Sequence, residues 1–359
     1  MDSFVADKDR NEHEERVQAA VKMTAPGTAL RMALDMIIAG HLGALICVGD
    51  TENVLAAGDD GFRLNTSFTA NRLFELCKMD GAVVIDKDFT QILRANYHLN
   101  PDPSLPTTET GTRHRTAARM SLLTKATVIS VSERRQVVNV YVDGKGFQLR
   151  PVSDIMATVS QITVAMLNTR QQLDRSLVYL TSLELDNVVT MGDVTNTFYL
   201  FEVLMTLGEQ LDNCILQLGR EGRTTQMQRD EYLGDMDDTY TLMIRDYAKD
   251  SSEENARAIR KRFHDEPNAE LRSAKAVAKT LGYDDGRSED TIMTPLGLRT
   301  LSRVSVVRDG MADKIVDEYG SLQDVLEAAE DDPSRLGEIG VKNPGVLANS
   351  LHRMLGQGE

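Results

Sequence analysis

The sequence predicts a multidomain chain in which a mixed α/β domain precedes two all-α segments, and three observations lead to this fold class. Between residues 28 and 148, helical spacing of apolar residues alternates with short apolar runs that end in turn residues. From 152 to 247 no proline interrupts a long helical periodicity, and from 291 to 359 two short helical patterns each follow a turn. For 359 residues we therefore expect three domains, over 1–148, 149–290 and 291–359.

In the α/β domain, each predicted helix leads into a predicted strand of a mixed sheet. Leu30, Leu34 and Ile37 recur at helical spacing and are followed by the apolar run Ala44–Val48, which Gly49 closes. The remaining predicted elements are helices over 70–78 and 117–124, strands over 82–85, 92–99 and 128–131, and a hairpin of 137–142 with 146–149.

The second domain is expected to be a helical spine. Its apolar residues recur at intervals of three, four or seven, which places them along one side of a long helix. They are Ile155, Val159, Ile162, Met166, Leu173, Leu177 and Leu180. In the last domain, helices are predicted over 311–319 and 346–355, each after a turn that contains glycine.

The net charge and the cysteine content limit the kinds of ligand and site that the sequence predicts. The net charge of −15 argues against general nucleic-acid binding, because affinity for DNA depends on neutralising phosphates. It is distributed as −2, −9 and −4 over the three predicted domains, so an anionic ligand meets the least repulsion in the first. The three cysteines have neither disulfide nor zinc spacing. The most apolar run, 33–48, contains polar residues and glycines that make it unsuited to span a membrane. The N-terminal residues do not form a secretory signal. We therefore expect a cytoplasmic protein.

The common nucleotide-binding and hydrolase motifs are missing from the sequence, and the strongest candidate site is the segment Gly111–Thr116, GTRHRT. It stands where a proline-rich loop meets a predicted helix. Backbone N–H groups, the helix dipole and two guanidinium groups together make a phosphate-binding site there. Like charge from the flanking arginines disfavours a cationic His114, so we expect it to be a neutral hydrogen-bond partner. The alternatives are a solvated basic turn and a pair of arginines bound to acidic neighbours.

Two shorter motifs add carboxylates. Asp80 stands with Gly81 at the entrance to a buried strand that begins at Ala82, although Asp-Gly is also a common turn. Ser132 and Glu133 follow the strand at 128–131, a place where α/β folds often bind ligands, although Glu133 could equally be a surface charge.

Together, Asp80-Gly81-Ala82, the stretch from His98 to Thr116 and Ser132-Glu133 resemble the diadenylate cyclase domain of the DNA integrity scanning protein family. The resemblance extends in order over the whole chain: cyclase domain, helical spine and a C-terminal helix-hairpin-helix module. It implies that two ATP molecules are condensed to cyclic di-AMP with release of two pyrophosphates.

The resemblance also implies a role for each site residue, with Mg²⁺ or Mn²⁺ as the cofactor. Asp80 would bind the metal and help to activate the ribose 3′-hydroxyl; whether it is the base or only a ligand stays open. Gly81 and Ala82 would allow close approach of the nucleotide, and Leu99 would contact adenine. Ser132 and Glu133 would complete the triphosphate and metal end. The phosphates would be held by Thr112, Arg113, His114, Arg115 and Thr116.

The expected partners follow from the product and the family. Cyclic di-AMP contains two identical linkages, so two cyclase domains should face each other, each holding one ATP; the family forms octamers. Branched DNA is an expected partner of the hairpins, with Arg299, Arg303, Arg308 and Lys342 as candidate contacts. Asp309 and Glu338 stand where a leading hairpin glycine is expected and place carboxylates near the phosphate. The alternatives are a purely structural or oligomer-forming module, and a non-catalytic DNA scaffold that senses ATP or cyclic di-AMP.

Overall fold

The computed structural model describes residues 2–267, 269–284, 286–308, 310–332 and 334–355. It forms two compact units, the first made of Met1–Ser160 with Asp212–Gln226 and the second of Gln161–Leu211 with Met227–Glu359. The mixed α/β fold followed by helices is confirmed, and the predicted three-domain boundaries stay a prediction. No helix in the described part of the chain combines the length and the apolar character that crossing a membrane requires.

The first unit is built on a mixed sheet, which has eight strands in the described residues. The strands are β1 (Ala44–Val48), β2 (Gly58–Asp59), β3 (Phe62–Ser67), β4 (Ala82–Ile85), β5 (Gln91–Leu99), β6 (Thr127–Ser132), β7 (Val137–Val142) and β8 (Lys145–Gln148). Their order is β2-β5-β4-β1-β6-β7-β8, and β3 pairs with β5. β1 and β4 are parallel, whereas β5 runs antiparallel to β4 and β6 antiparallel to β1.

Among the described residues, five α-helices belong wholly to this unit: α1 (Asp2–Met23), α2 (Ala29–Ala39), α3 (Thr51–Ala56), α4 (Ala70–Leu76) and α5 (Thr112–Leu123). α2 and α4 begin where a threonine side chain accepts a hydrogen bond from a first-turn amide: Thr28 from Arg31, and Thr69 from Arg72. These two predicted helices are confirmed, whereas α1 and α3 were not predicted.

The predicted start of α5 at residue 117 is wrong, because the helix begins at Thr112. Gly111, with φ +87°, precedes it and provides no capping side chain, so the usual start signal is missing. The GTRHRT segment therefore forms the first turn of the helix and the residues just after it.

Both faces of the sheet are covered, which is why β1 is apolar throughout. Ala44, Ile46 and Val48 belong to one core cluster with residues of α2 and α4. Leu45 and Cys47 belong to a second cluster, with residues of α3 and α5. Alternate residues of one strand thus serve two cores, as the two-residue period of a strand requires.

The predicted long helices are confirmed. α6 (Val152–Leu185) and α7 (Met191–Leu218) are followed by α8 (Arg223–Leu233), α9 (Met236–Tyr247), α10 (Glu253–Asp265) and α11 (Ala274–Thr280). All seven apolar residues that predicted the spine are buried on α6.

The C-terminal helices share one core cluster. They are α12 (Leu298–Ser302), α13 (Met311–Tyr319), α14 (Leu322–Asp331), α15 (Ser334–Glu338) and α16 (Pro344–Leu355). The predicted helix over 311–319 is confirmed and the other begins two residues early, at Pro344, a residue suited to a first helical position. The helix-hairpin-helix assignment stays a prediction: Asp309 lies outside the described residues, and Glu338 ends α15.

A buried ionic cluster, formed by Glu184, Asp246 and Arg299, lies at the start of α12. Glu184 accepts hydrogen bonds from Arg299 Nη2 at 2.6 Å, the Thr300 hydroxyl at 2.9 Å and the Tyr247 hydroxyl at 2.6 Å. Asp246 accepts from three consecutive backbone amides of residues 297–299, at 2.9, 2.6 and 3.0 Å. With only 1% of its surface exposed, Arg299 cannot contact DNA, and that prediction is wrong.

Candidate functional site

A cleft of about 990 Å³ opens at one edge of the central sheet. β5 runs antiparallel to β4, and β6 runs antiparallel to β1. The last residues of β5 and β6 therefore lie beside the first residues of β4 and β1. Ala82 is opposite Tyr97, and Ala44 is opposite Val131. The start of α5 completes the border, so segments far apart in sequence meet there.

Nine of the eleven residues predicted from the sequence line this cleft. They are Asp80, Gly81, Leu99, Thr112, Arg113, His114, Thr116, Ser132 and Glu133. The other two lie elsewhere: Ala82 is fully buried in the core behind the cleft, and Arg115 is exposed on α5, outside the lining.

Gly81 lets Asp80 approach the edge of the sheet. Its φ is +84°, and a Cβ at this position would lie 2.8 Å from the carbonyl carbon of Asn96 and 3.0 Å from the amide nitrogen of Tyr97. Asn96 Nδ2 donates a hydrogen bond of 2.8 Å to the backbone carbonyl of Asp80. The backbone of Asp80 is therefore fixed against β5, while its side chain is exposed in the cleft.

The start of α5 presents groups that bind anions. Its first backbone N–H groups have no carbonyl partner within the helix, and the helix dipole adds positive potential there. The guanidinium of Arg113 lies directly against Gly43, where a Cβ would stand 2.9 Å from Arg113 Cζ. Burial raises the pKa of the nearby Cys77 thiol to about 12, and the positive charge of Arg113 opposes that rise. Gly43 thus gives Arg113 room beside the sheet.

The side chain of His114 contacts a buried tyrosine. Its Nδ1 lies 3.0 Å from the hydroxyl of Tyr141, a residue of β7 that is fully buried. Burial raises the pKa of Tyr141, and the charge of Glu109 and a hydrogen bond to its carboxylate raise it further. The imidazole consequently has one nitrogen engaged inside the protein.

Gly111, the first residue of the GTRHRT segment, also lines the cleft, and so do five residues to which the sequence assigned no role in the site: His41, Leu45, Tyr97, His98 and Arg134. Tyr97 alternates with Leu99 along β5, and this period of two could have identified it. His41 lies just before β1 with φ +53°, and its Nδ1 contacts the Gln136 amide. The pairing of β1 with β6 brings His41 to the cleft. The residues next to His41 in the sequence form no motif that would have identified it as a site residue.

The cleft contains two carboxylates, which are ligands of the chemical type that divalent metals such as Mg²⁺ prefer. Asp80 and Glu133 both line the cleft and are exposed. Within the ranges that the structure describes, three or more His, Cys, Asp or Glu side chains nowhere form a group that could hold a metal. Mg²⁺ and Mn²⁺ are typically held by one or two carboxylates together with phosphate oxygens, and this donor set suits them.

Two sequence families match the chain. Residues 31–146 match the nucleotide-binding region of the DisA bacterial checkpoint controller, and residues 149–290 match the linker region of the same controller.

Curated relatives match over nearly the full length. The chain is 36% identical over 334 residues to the DNA integrity scanning protein DisA of Symbiobacterium thermophilum, which covers 93% of this chain and 94% of the relative. It is 38% identical over 343 residues to the protein of the same name from Corynebacterium glutamicum, covering 94% and 93%.

Among solved structures, a double mutant of DacA from Staphylococcus aureus is 24% identical, with a TM-score of 0.27, and covers 39% of this chain and 88% of its own.

All the residues that line the cleft, from His41 to Arg134, lie within residues 31–146, which match the nucleotide-binding region.

Proposed function

The chain belongs to the DNA integrity scanning protein (DisA) family, and from this premise we propose that it is a diadenylate cyclase, which joins two ATP molecules into cyclic di-AMP and releases two pyrophosphates. The observation that carries the proposal is the convergence of Asp80, the start of α5 and the Ser132-Glu133 pair in one cleft. Nucleotidyl transfer needs charge neutralisation and in-line positioning more than covalent catalysis, and these groups are suited to both.

The triphosphate binds at the start of α5. The first backbone amides of the helix and the Arg113 guanidinium donate to phosphate oxygens, and the hydroxyls of Thr112 and Thr116 add neutral donors. Leu99 and Tyr97 provide apolar surface for the adenine. The exposed Arg115 is a weaker candidate for phosphate contact than Arg113, because it lies outside the lining of the cleft.

Asp80 and Glu133 are the residues that would hold Mg²⁺ or Mn²⁺ together with the phosphates. When bound, the ion supplies positive charge that offsets the charge of the triphosphate. Asp80 also has a second possible use, because its carboxylate can take the proton of the attacking 3′-hydroxyl. Gly81 and Asn96 fix the backbone of Asp80 for either role.

Each half of the reaction forms one phosphodiester. The 3′-oxygen of one ATP attacks the α-phosphorus of the other, the bond from this phosphorus to the bridging oxygen breaks, and pyrophosphate leaves while the hydroxyl proton passes to a base. Since the product has twofold symmetry, we propose that two clefts face each other in a cytoplasmic homo-oligomer, the octamer that the family resemblance implies.

The C-terminal helices are proposed to bind branched DNA and to regulate synthesis. Arg303, Arg308 and Lys342 are exposed and remain candidate phosphate contacts. Arg299 is excluded from this set by its burial.

A synthesis assay tests the proposed function. Purified protein incubated with ATP and Mg²⁺ or Mn²⁺ should produce cyclic di-AMP and pyrophosphate, separated by chromatography. Asp80→Asn should abolish synthesis but keep ATP affinity, because the shape stays and a charge needed for turnover is removed.

The matched control is Asp88→Asn, which removes an exposed carboxylate of the same unit outside the cleft and should leave synthesis unchanged. ATP binding without any cyclic di-AMP would contradict the enzyme and support a nucleotide-sensing scaffold.

A further inference from the structure

A second cavity, of about 450 Å³, lies in the first unit. This volume is within the range of small-molecule sites. α1, α2 and β8 form part of its wall, and the start of α6 and the end of α7, which belong to the same unit, form much of the rest. Among the described residues, none lines both this cavity and the cleft. It is therefore a separate candidate site within one compact unit.

Apolar side chains make up one part of the lining. Five of them are only half-buried, so each keeps apolar surface that a bound molecule can remove from water. They are Val17, Val21, Phe147, Leu149 and Leu216. A bare inorganic ion would leave this surface exposed to water, and a ligand with an apolar body would cover it.

The polar part of the lining is positively charged. Arg31 and Arg150 both line the cavity, and no acidic residue does so within the part of the chain that the structure describes. Four carboxamide side chains add neutral hydrogen-bond donors, those of Gln18, Gln148, Asn213 and Gln217. In a chain whose net charge is −15, a lining of this kind favours a ligand with a negative charge.

Arg31 is the cation best suited to bind such a ligand. Only 12% of its side chain is exposed, and its Nε donates a hydrogen bond of 2.9 Å to Asp35 Oδ1. Asp35 is itself 59% exposed, so water screens this ion pair. Nη1 donates to the Thr24 carbonyl over 3.5 Å, a long hydrogen bond, and Nη2 has no partner among the described residues. The guanidinium can therefore donate further hydrogen bonds to an anion.

We propose that this cavity binds a small organic anion that has one carboxylate or sulfonate group and an apolar body. The anionic group accepts hydrogen bonds from Arg31, and the apolar body covers the half-buried side chains of the lining. Arg150, which already donates to the Thr158 hydroxyl at 2.7 Å, contributes a second positive charge. The site is separate from the cleft, and the inference does not depend on the proposed cyclase activity.

Fluorescence titration with anilinonaphthalene sulfonate, an aromatic sulfonate, tests the site in the full chain. The probe should bind to the folded protein, and octanoate should displace it. Octanol has the same apolar chain without the charge, and inorganic phosphate has charge without an apolar body. Each should therefore need an at least tenfold higher concentration than octanoate to displace the probe.

Arg31→Met tests the anion contact, because it removes the charge and keeps an unbranched apolar side chain. The Kd for octanoate should rise by about tenfold, the effect of losing a charge-assisted hydrogen bond. The matched control is Arg63→Met, which removes an exposed arginine of the same unit that lines neither the cavity nor the cleft. Its Kd for octanoate should equal that of the parent.

Val21→Phe tests the cavity itself and does not depend on Arg31. The larger side chain should occupy space that the ligand needs, so binding of both the probe and octanoate should be lost. Thermal unfolding should show that this variant is as stable as the parent, because filling a cavity adds apolar contacts.

The outcomes decide each part of the inference. Probe binding that neither Arg31→Met nor Val21→Phe weakens would place the probe elsewhere, and no binding to the parent would refute the site. Displacement by octanol as readily as by octanoate would overturn the recognition of an anion, and equal displacement by phosphate would overturn the need for an apolar body. Because none of these measurements uses cyclic di-AMP synthesis, failure of the cyclase assay leaves them unaffected.

Discussion

Arg113 has room in the cleft only because residue 43 has no side chain. A Cβ there would lie 2.9 Å from the centre of the guanidinium and closer still to one of its nitrogens. Since these atoms are at the flexible end of a long side chain, the arginine can move away without disturbing the fold. The position of the charge, rather than stability, therefore depends on Gly43.

We expect Gly43→Ala to weaken ATP binding while leaving thermal stability nearly unchanged. A charge-assisted hydrogen bond contributes about 1.5–3 kcal/mol, and displacement of the guanidinium loses part of it, so Kd should rise several-fold and less than in Arg113→Ala. Calorimetric titration with ATP measures both. The matched control is Gly345→Ala in α16, where an added Cβ meets no atom within 4 Å. Equal ATP affinity of Gly43→Ala and the parent would show that Arg113 does not contact the nucleotide.

At the scale of helices and strands, apolar periodicity predicted those elements that bury a regular face. β1, β4 and β7 have the bounds that their apolar runs indicated, and β1 and β4, which are buried along their whole length, contain no polar residue that could obscure the pattern. α1 was missed because charged residues crowd its start, and β3 because most of its residues are exposed. Such elements are stabilised by neighbours that are distant in sequence.

The same reasoning explains how much of the candidate site could be predicted. The GTRHRT segment and Asp80-Gly81 were found because glycine and charge form local motifs. His41 and Gly43 became part of the site only through strand pairing and the path of the Arg113 side chain. Contacts of this kind join residues that are distant in sequence, so no local sequence motif predicts them.

The buried ionic cluster should make the stability of the second unit depend on pH. Burial and the charge of Glu184 raise the pKa of Asp246 to about 7, although three amide hydrogen bonds and Arg299 oppose the rise. The folded state then binds a proton that the unfolded chain releases near its ordinary pKa of 3.8. Stability must therefore fall as pH rises from about 4 to 7, since one arginine cannot balance two carboxylates.

We expect Asp246→Asn to flatten this dependence. A pKa that differs by one between the folded and unfolded states changes the free energy of unfolding by about 1.4 kcal/mol, so thermal unfolding measured at pH 5 and pH 8 should show a larger loss for the parent than for the variant. Asp250→Asn is the control, because it removes an exposed carboxylate nearby whose pKa lies below its ordinary value through hydrogen bonds from Ser252. Parallel pH profiles of Asp246→Asn and the parent would contradict the role of the cluster.

For the whole molecule, the acidic balance of −15 means that any DNA binding must depend on local contacts. Arg308 is exposed just before the turn at Gly310, and Lys342 just after the turn at Gly340, while Glu338 is exposed beside the second turn. The carboxylate of Glu338 opposes the approach of a phosphate at that turn.

Glu338→Gln should strengthen binding to a four-way DNA junction at low salt, and the affinity of both proteins should fall steeply as salt rises. Glu327→Gln removes the same charge from an exposed position of α14 and separates a local effect from a change in net charge. Fluorescence anisotropy measures all three proteins. Equal gains in the two variants would place the DNA elsewhere, and no binding by any of them would indicate a structural module.

The close contact between Gly81 and the backbone at Asn96 also limits the routes by which this cleft can evolve. Any residue larger than glycine at position 81 would overlap the backbone of β5, and no change of the Asn96 side chain alone can relieve an overlap with its carbonyl carbon. A lineage could replace Gly81 only after an insertion, deletion or bulge had already moved β5 away. A single substitution can therefore change the side chain at position 80, but it cannot move that position along the edge of the sheet.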